Sequence, residues 1–554
     1  MKTNEPLSPP SRHTTALTRR HLFQLGGASA LLATTPLAAR GFGRGFTHGV
    51  ASGEPGPDKV LLWTRFVAGQ DTWLEFQVSE NGDFTDVVAG GSARASAETD
   101  WCAKAWADGL RDGRWYYYRF IAPDGSMSEV GRTRTLPGES IDRFRLAVFS
   151  CSNFGFGYFN AYAHAAEVDD ADLALHLGDY IYEYRRGSYP DPERAIPERE
   201  LWPEQEIVAL ADYRLRYATY RADPDLRRIH QMLPMIAVWD DHESANDSWK
   251  GGAENHQSET EGDWEARKAA AKRAYREWMP VSDEPYAEYQ VGDLATLYRL
   301  DTRLEGREKQ FDIGALMKGR QSAEEIAAAL KAFHDGDYAD PARQMLGAEQ
   351  EAWLGNALKR SRQSGRQWQV LVQQVVMGRL ATPPGLVDAL GADAPDYVRR
   401  RLTAAALSSR AGLPANMDAW DGYPAARERL LASALEAEAN LLVLAGDSHN
   451  SWAFNLDHRG VNAGVEFGVQ SVTSPGLEGY LGAIAPDVLS RDLVEHNAGL
   501  KYADTSQRGY ALVELTPEAA SAEYRFVETI RTRSTALAGT MRLDTAAGSR
   551  ALAS

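Results

Sequence analysis

The sequence predicts two folded domains of different class, a small all-β sandwich followed by a larger α/β layered domain. The chain has 554 residues, which is more than a single hydrophobic core usually serves. Short aromatic and β-branched runs separated by turns fill its first part, whereas the apolar runs after Gly138 alternate with helical patterns. Strands that alternate with helices are typical of layered α/β domains.

Residues 1–40 have the features of a twin-arginine export signal. Arg19 and Arg20 precede a short, mildly apolar run over residues 25–37, and small residues follow at Ala38 and Ala39. This order is typical of a signal peptide, and the run is too short to span a membrane. The paired arginines favour the twin-arginine route. We therefore expect a periplasmic or secreted protein that engages the twin-arginine export machinery and has no transmembrane anchor.

Residues 41–138 are predicted to form the all-β domain. The runs at residues 60–65, 72–78 and 115–121 are rich in aromatic and β-branched side chains, and Gly-Asp or Asp-Gly turns lie between them. Two sheets packed face to face, as in a fibronectin-type sandwich, fit this spacing. No catalytic constellation is visible here, so the domain is expected to position or shield another part of the chain.

Residues 139–531 are predicted to form the layered domain. Its apolar runs of strand length lie at residues 144–149, 173–177, 235–239, 294–300, 368–376, 441–445 and 465–472. Helical patterns lie at residues 158–169, 264–279, 348–359 and 425–438. Residues 190–203, 251–262 and 383–417 are predicted long loops, and the Ala- and Ser-rich residues 532–554 are predicted to form a flexible tail.

The charge of the chain limits its partners. A formal net charge of -17 argues against a nucleic-acid or anionic-membrane binder, which needs a basic face. An anionic substrate would therefore need local positive charge, and a metal is the obvious source. The two cysteines, Cys102 and Cys151, are too few for a disulfide framework.

Four of the predicted strands end in side chains that can bind metals. Residues 144–150 lead into Cys151, residues 173–177 into Asp179 and Tyr182, residues 235–239 into Asp240, Asp241 and His242, and residues 441–445 into Asp447 and His449. The ends of parallel strands meet at one edge of a sheet, where ligands bind in α/β folds. Carboxylates, an imidazole, a phenolate and a thiolate brought together favour two or more cations.

The motifs at these strand ends resemble those of the alkaline phosphatase D (PhoD-like) family of calcineurin-like metallophosphoesterases. The resemblance covers about residues 46–527. It is carried by the motifs at residues 46–55, 149–152, 178–183, 239–243 and 446–449. It implies a layered αββα catalytic domain and a phosphoester hydrolase that uses iron, Fe(3+), together with one or two calcium ions, Ca(2+).

The same resemblance implies a role for each matched position. Asp179 would bridge two metals. Cys151, Tyr182 and His449 would bind the iron. Asp241 and Asp447 would hold a calcium ion. His242 would contact the substrate phosphate or protonate the leaving oxygen.

Several of these residues have alternative interpretations. Asp240 is either a ligand of a further calcium ion or an acid that supports a ligand, and Asn246 and Asp247 are weaker candidates for the same ion. Arg303 could bind substrate phosphate through a bidentate fork, but a surface ion pair explains it equally well. Cys151 could be a small buried apolar side chain, and Tyr182 could be a packing aromatic.

The resulting prediction is an exported, metal-dependent hydrolase of phosphomonoesters and phosphodiesters, an alkaline phosphatase or phosphodiesterase. A metal-activated water would attack phosphorus, and no covalent phosphoenzyme is required. The alternatives are a phospholipase D-like phosphodiesterase acting on lipid headgroups or wall polymers, and a non-catalytic, metal-stabilised binding protein. The expected partner is a small phosphoester substrate, and a monomer is expected.

Overall fold

The computed structural model describes residues 43–320, 322–390 and 396–553. The export signal predicted over residues 1–40 lies outside these residues. Within the described ranges, no helix is both long enough and apolar enough to cross a membrane.

The described part of the chain forms strands and helices in alternating blocks. The strands are β1 Gly45–Gly53, β2 Lys59–Val67, β3 Thr72–Ser79, β4 Val87–Ala95, β5 Cys102–Asp108, β6 Trp115–Ile121, β7 Gly131–Arg134, β8 Phe144–Phe149, β9 Leu173–His176, β10 Met235–Ala237, β11 Ala287–Val291, β12 Ala295–Arg299, β13 Trp368–Val372, β14 Leu441–Ala445, β15 Ser451–His458, β16 Val461–Gly468, β17 Leu500–Asp504, β18 Gly509–Leu515, β19 Ala519–Val527 and β20 Leu537–Ala546. The helices are α1 Asn160–Val168, α2 Leu210–Arg221, α3 Pro224–Met232, α4 Ser258–Glu261, α5 Trp264–Trp278, α6 Ile313–Met317, α7 Ala323–Asp335, α8 Ala348–Gln363, α9 Leu386–Ala389, α10 Asp396–Arg410, α11 Pro424–Glu436 and α12 Pro486–His496.

Two large sheets form the centre of the molecule. Sheet I has nine strands in the order β20-β19-β18-β8-β9-β10-β1-β2-β5, and sheet II has seven in the order β11-β12-β13-β14-β16-β15-β17. In sheet I, β8, β9 and β10 are parallel neighbours. In sheet II, β12, β13, β14 and β16 are also parallel neighbours. Their carboxyl ends therefore lie along one edge of each sheet.

Apolar side chains arrange the sheets and helices in four layers. One buried cluster joins Leu146 and Leu175 of sheet I to Val370 and Leu442 of sheet II, which places the two sheets face to face. The outer face of sheet I is covered by α1, α2, α3 and α5. The outer face of sheet II is covered by α8, α11 and α12. The predicted αββα architecture is therefore confirmed.

The amino-terminal sandwich shares strands with the catalytic domain. A four-stranded sheet, β4-β3-β6-β7, packs through one buried cluster against β1, β2 and β5. These three strands also belong to sheet I, because β1 pairs with β10 at Gly53 and Met235. A buried ion pair between Glu54 and Arg299 also links the sandwich to sheet II, because Arg299 is the last residue of β12. The all-β domain is thus continuous with the layered domain rather than a separate body.

Two sequence predictions about irregular structure were wrong. Residues 532–554, predicted as a flexible tail, contain β20, which pairs with the whole of β19 at the edge of sheet I. Most β20 side chains are exposed, so the strand lacks the alternating apolar pattern that reveals a half-buried strand. Residues 383–417, predicted as a long loop, contain α9 and α10.

Candidate active site

The four predicted strand ends meet around one cavity of about 480 Å³. Cys151, Asp179 and Asp240 follow β8, β9 and β10 of sheet I, whereas Asp447 and His449 follow β14 of sheet II. The cavity is lined by Asp179, Tyr184, Ser188, Tyr189, Asp241, His242, Asn246, Asp247, Asn416, Asp418, Asp447, Ser448, His449 and Tyr480. A larger cleft of about 730 Å³ opens beside α11, but none of the predicted strand-end residues lines it, so the smaller cavity is the candidate site.

The backbone at these strand ends is held in an unusual conformation. Cys151, Asp179, Asp447 and His449 have φ angles of 57°, 53°, 59° and 64°. Residues other than glycine seldom adopt this left-handed region, and each such residue costs on the order of 1 kcal/mol. Four of them at one site indicate that the fold maintains this geometry for function rather than stability.

One group of candidate ligands surrounds Asp179. Donor atoms of Cys151, Asp179 and His449 all lie within 4.8 Å of one another. The Tyr182 hydroxyl donates to Asp179 Oδ2 at 3.0 Å and lies 3.3 Å from His449 Nε2. Asp179 Oδ1 is buried and has no hydrogen-bond partner among the described residues. Tyr182 is therefore positioned with this group and is more than a packing aromatic.

A second group consists of carboxylates. Donor atoms of Asp240, Asp241 and Asp447 lie within 4.8 Å of one another, and Asp179, Asp241 and His242 form a third such group. Asp179 and Asp241 are each shared by two groups, so the three groups form one continuous set. Asp240 Oδ2 is also buried, and no hydrogen-bond partner for it lies in the part of the chain that the structure describes. The unpartnered oxygens and this donor chemistry fit a site for more than one cation.

Burial makes the ionised form of these acids energetically unfavourable. It raises the pKa of Asp179 and Asp447 well above the usual value, and neighbouring carboxylates raise both further. Burial likewise raises the pKa of Asp240 to about 6, despite the opposing charge of Arg303. Cations bound among these oxygens would stabilise the ionised forms, so metal binding is expected to release protons.

His242 is held by a buried carboxylate. Its Nδ1 lies 2.6 Å from Glu183 Oε2, and Glu183 Oε1 accepts from the Asn246 backbone N–H and the Asn255 amide at 2.8 Å each. Burial lowers the pKa of His242, but the charges of Asp241, Glu183 and Asp179 outweigh it and raise the pKa well above the usual value. The Glu183 contact therefore orients an imidazole ring that faces the cavity.

Arg303 lies beneath the acids rather than in the cavity. Its side chain is fully buried; Nε donates to Asp240, one terminal nitrogen donates to Asp418 at 2.6 Å, and the other donates to Asp447 at 3.0 Å. Arg303 does not line the cavity, and its fork toward substrate phosphate stays a prediction. The alternative of a surface ion pair is wrong because the pairs are buried.

Glu243 ties two strand ends together. One of its oxygens accepts the backbone N–H of Asp179 at 3.1 Å and that of Asp240 at 2.7 Å, and the other accepts the N–H of Tyr180. Gly178 permits this approach, because a Cβ there would lie 2.4 Å from Asp240 Cβ and its φ is +102°. Gly178 belongs to the sequence motif at residues 178–183, whereas the sequence analysis did not predict the role of Glu243.

Sequence reasoning also missed Asp418. This buried residue lines the cavity with Asn416, and its carboxylate pairs with both Arg303 and Arg307. It follows a segment predicted as a loop and no strand precedes it, so the strand-end pattern could not identify it. Asn246 and Asp247, the weaker candidates, do line the cavity, and burial raises the pKa of Asp247 to about 7.

Comparisons with known proteins indicate one family. The family model described as PhoD-like phosphatase matches residues 146–524, and the model of its N-terminal domain matches residues 32–137. Alkaline phosphatase D of Bacillus subtilis (strain 168) is 32% identical over 507 residues, which cover 87% of this chain and 77% of that protein. A solved structure described as "Structure of PhoD" has a TM-score of 0.74 and 30% identity, and the match covers 92% of each chain.

The layered fold, the acid-lined cavity and these likenesses define a hydrolase of phosphoester bonds. The chain belongs to the PhoD-like phosphatase family. The predictions of family, fold class and enzyme are thereby confirmed, and the alternative of a non-catalytic binding protein is not supported.

The role of Glu243 can be tested by replacing it with glutamine. In Glu243→Gln an amide N–H₂ must face at least one backbone N–H, so we expect a loss of about 2 kcal/mol in the free energy of unfolding. Urea unfolding of chelator-treated protein at pH 5 measures this loss, because burial raises the pKa of Glu243 to about 8 and the neutral acid is then compared with the neutral amide. Glu265→Gln on α5, where the side chain is 63% exposed, is the matched control. Equal stability of both variants and the wild type would contradict the assigned role.

Proposed function

We propose that this protein is an exported phosphatase that depends on a multinuclear metal site containing one iron(III) and one or two calcium ions. The observation that carries the proposal is the continuous set of donors that joins Cys151 and His449 to Asp241 and Asp447 through Asp179. Such a mixed set contains more anionic donors than one ion uses.

The two ends of this donor set suit different metals. Thiolate, phenolate and imidazole donors from Cys151, Tyr182 and His449 favour a transition metal such as iron, whereas the carboxylates Asp240, Asp241 and Asp447 favour calcium. Asp179 belongs to groups at both ends, which supports its proposed role as the shared carboxylate. Asp247 and Asn246 lie close enough to line the same cavity, and they remain candidates for a further calcium ion.

When bound, the cations supply a water-derived nucleophile near neutral or alkaline pH and neutralise the phosphoryl oxygens as charge develops. His242 is the candidate proton donor to the leaving oxygen, because it lines the cavity and its pKa is raised by surrounding carboxylates despite burial. Glu183 fixes the ring through Nδ1 and leaves Nε2 to act. Arg303 contributes by neutralising the buried acids below the substrate.

The ester class is proposed to include both monoesters and diesters. The cavity volume of about 480 Å³ exceeds the space that a phosphate group alone requires. The alternative is a phospholipase D-like enzyme that prefers diesters of lipid headgroups or wall polymers. Hydrolysis rates on a panel of diesters would reveal this preference.

Hydrolysis of p-nitrophenyl phosphate and bis(p-nitrophenyl) phosphate by metal-loaded protein tests this function. We expect activity on at least one ester that chelation abolishes. The two buried free cysteines provide a test variant and its matched control. Cys151→Ala should lower kcat at least about tenfold, since it removes a candidate metal ligand, whereas Cys102→Ala in β5 should leave kcat within about twofold of wild type. Absence of turnover with both esters would overturn the proposal.

Export is proposed from the sequence at Arg19 and Arg20, outside the described residues. Replacing both with lysine keeps the charge but removes the arginine pair. We expect the protein to accumulate inside the cell, as measured by activity in fractionated cultures. Unchanged export of the lysine variant would exclude the twin-arginine route.

A further inference from the structure

A wall of tyrosines lines the candidate cavity beside His242. The tyrosine wall consists of Tyr184, Tyr189 and Tyr480. The ring of Tyr184 lies 5.3 Å from the His242 ring and 5.6 Å from the Tyr189 ring, which meets it edge to face at 68°. The proposed metal site and proton donor do not account for these three rings.

Nearby segments of the same protein hold the tyrosine wall in place. Tyr189 packs edge to face against Phe156, with ring centroids 4.7 Å apart. The backbone carbonyl of Tyr184 accepts from the buried Arg216 guanidinium at 3.1 Å. The Tyr189 ring and the Tyr184 backbone are therefore held in place before a substrate arrives, which lowers the entropic cost of binding against them.

We propose that the tyrosine wall binds the leaving alcohol of the substrate and selects phosphoesters whose alcohol carries a planar aromatic ring. The proposal rests on the proposed function, in which His242 protonates the leaving oxygen. A ring attached to that oxygen must lie close to His242, and the Tyr184 ring, 5.3 Å away, is the neighbouring cavity surface. Aromatic rings at such separations attract one another beyond their loss of water-exposed area.

A cationic headgroup fits this wall less well than a neutral ring. Tyrosine faces can bind an ammonium group, but a strong site also needs a free carboxylate. Asp179, Asp247 and Asp447 are candidate metal ligands of the proposed site, and the other nearby carboxylates have partners. Asp418 pairs with Arg303 and Arg307, and Glu183 binds the His242 ring. Asp241 accepts the backbone N–H groups of His242 and Asp247.

Calorimetric titration of metal-loaded protein with three phosphonates tests the proposal independently of turnover. Phenylphosphonate and cyclohexylphosphonate have side groups of similar size but different planarity, and 2-aminoethylphosphonate carries a cation. We expect phenylphosphonate to bind about fivefold more tightly than cyclohexylphosphonate. Tyr184→Leu should reduce this ratio to about one, whereas Tyr184→Phe, which keeps the ring, should preserve it.

Tyr286→Leu is the matched control, because Tyr286 stacks on Trp353 and does not line the cavity; its ratio should equal that of the wild type. Equal binding of the phenyl and cyclohexyl compounds, tightest binding of the aminoethyl compound, or no binding of phenylphosphonate would each overturn the proposal. If the p-nitrophenyl esters are hydrolysed, any of these three results overturns only the proposed role of the tyrosine wall and leaves the proposed function intact. The absence of hydrolysis would instead count against that function.

Discussion

Repulsion among buried carboxylates is the constraint on which the rest of the structure depends. Asp179, Asp240 and Asp241 are buried, and Asp447 beside them is partly buried. Burying unpaired ionised acids is strongly unfavourable. Arg303 offsets part of this charge through three of the surrounding acids. It cannot balance the whole group, which is why the site is better explained by bound cations than by ion pairing alone.

The architecture brings these acids together from two sheets. Each sheet contributes strand ends from its parallel region, and face-to-face packing brings the two edges to the same place. Glu243 joins the ends of β9 and β10, while the Glu54–Arg299 pair links the amino-terminal sandwich to β12. Within residues 43–138, no residue of the sandwich lines the cavity, so the contribution of these residues is to extend sheet I and hold the strands that carry the ligands.

Much of the fold and the site could be predicted because the signals were local. A buried strand that ends in Gly178-Asp179 or in Asp240-Asp241-His242 displays both the apolar run and the ligand within a few residues. Asp418 and Glu243 act through partners distant in sequence, and no local pattern marks such contacts. The buried ion pairs of Arg303 could not be predicted for the same reason, since its three partners lie on separate segments. β20 was not predicted because the side chains of an exposed edge strand do not alternate between apolar and polar.

The most direct test of the multinuclear site is the metal content of the purified protein, read together with its visible absorption. We expect one iron and one or two calcium ions per chain, and a phenolate-to-iron absorption band. Tyr182→Phe should shift or remove this band. Tyr180→Phe, which alters a neighbouring buried tyrosine bonded to His230, should retain it. A colourless, iron-free preparation with full activity would contradict the account.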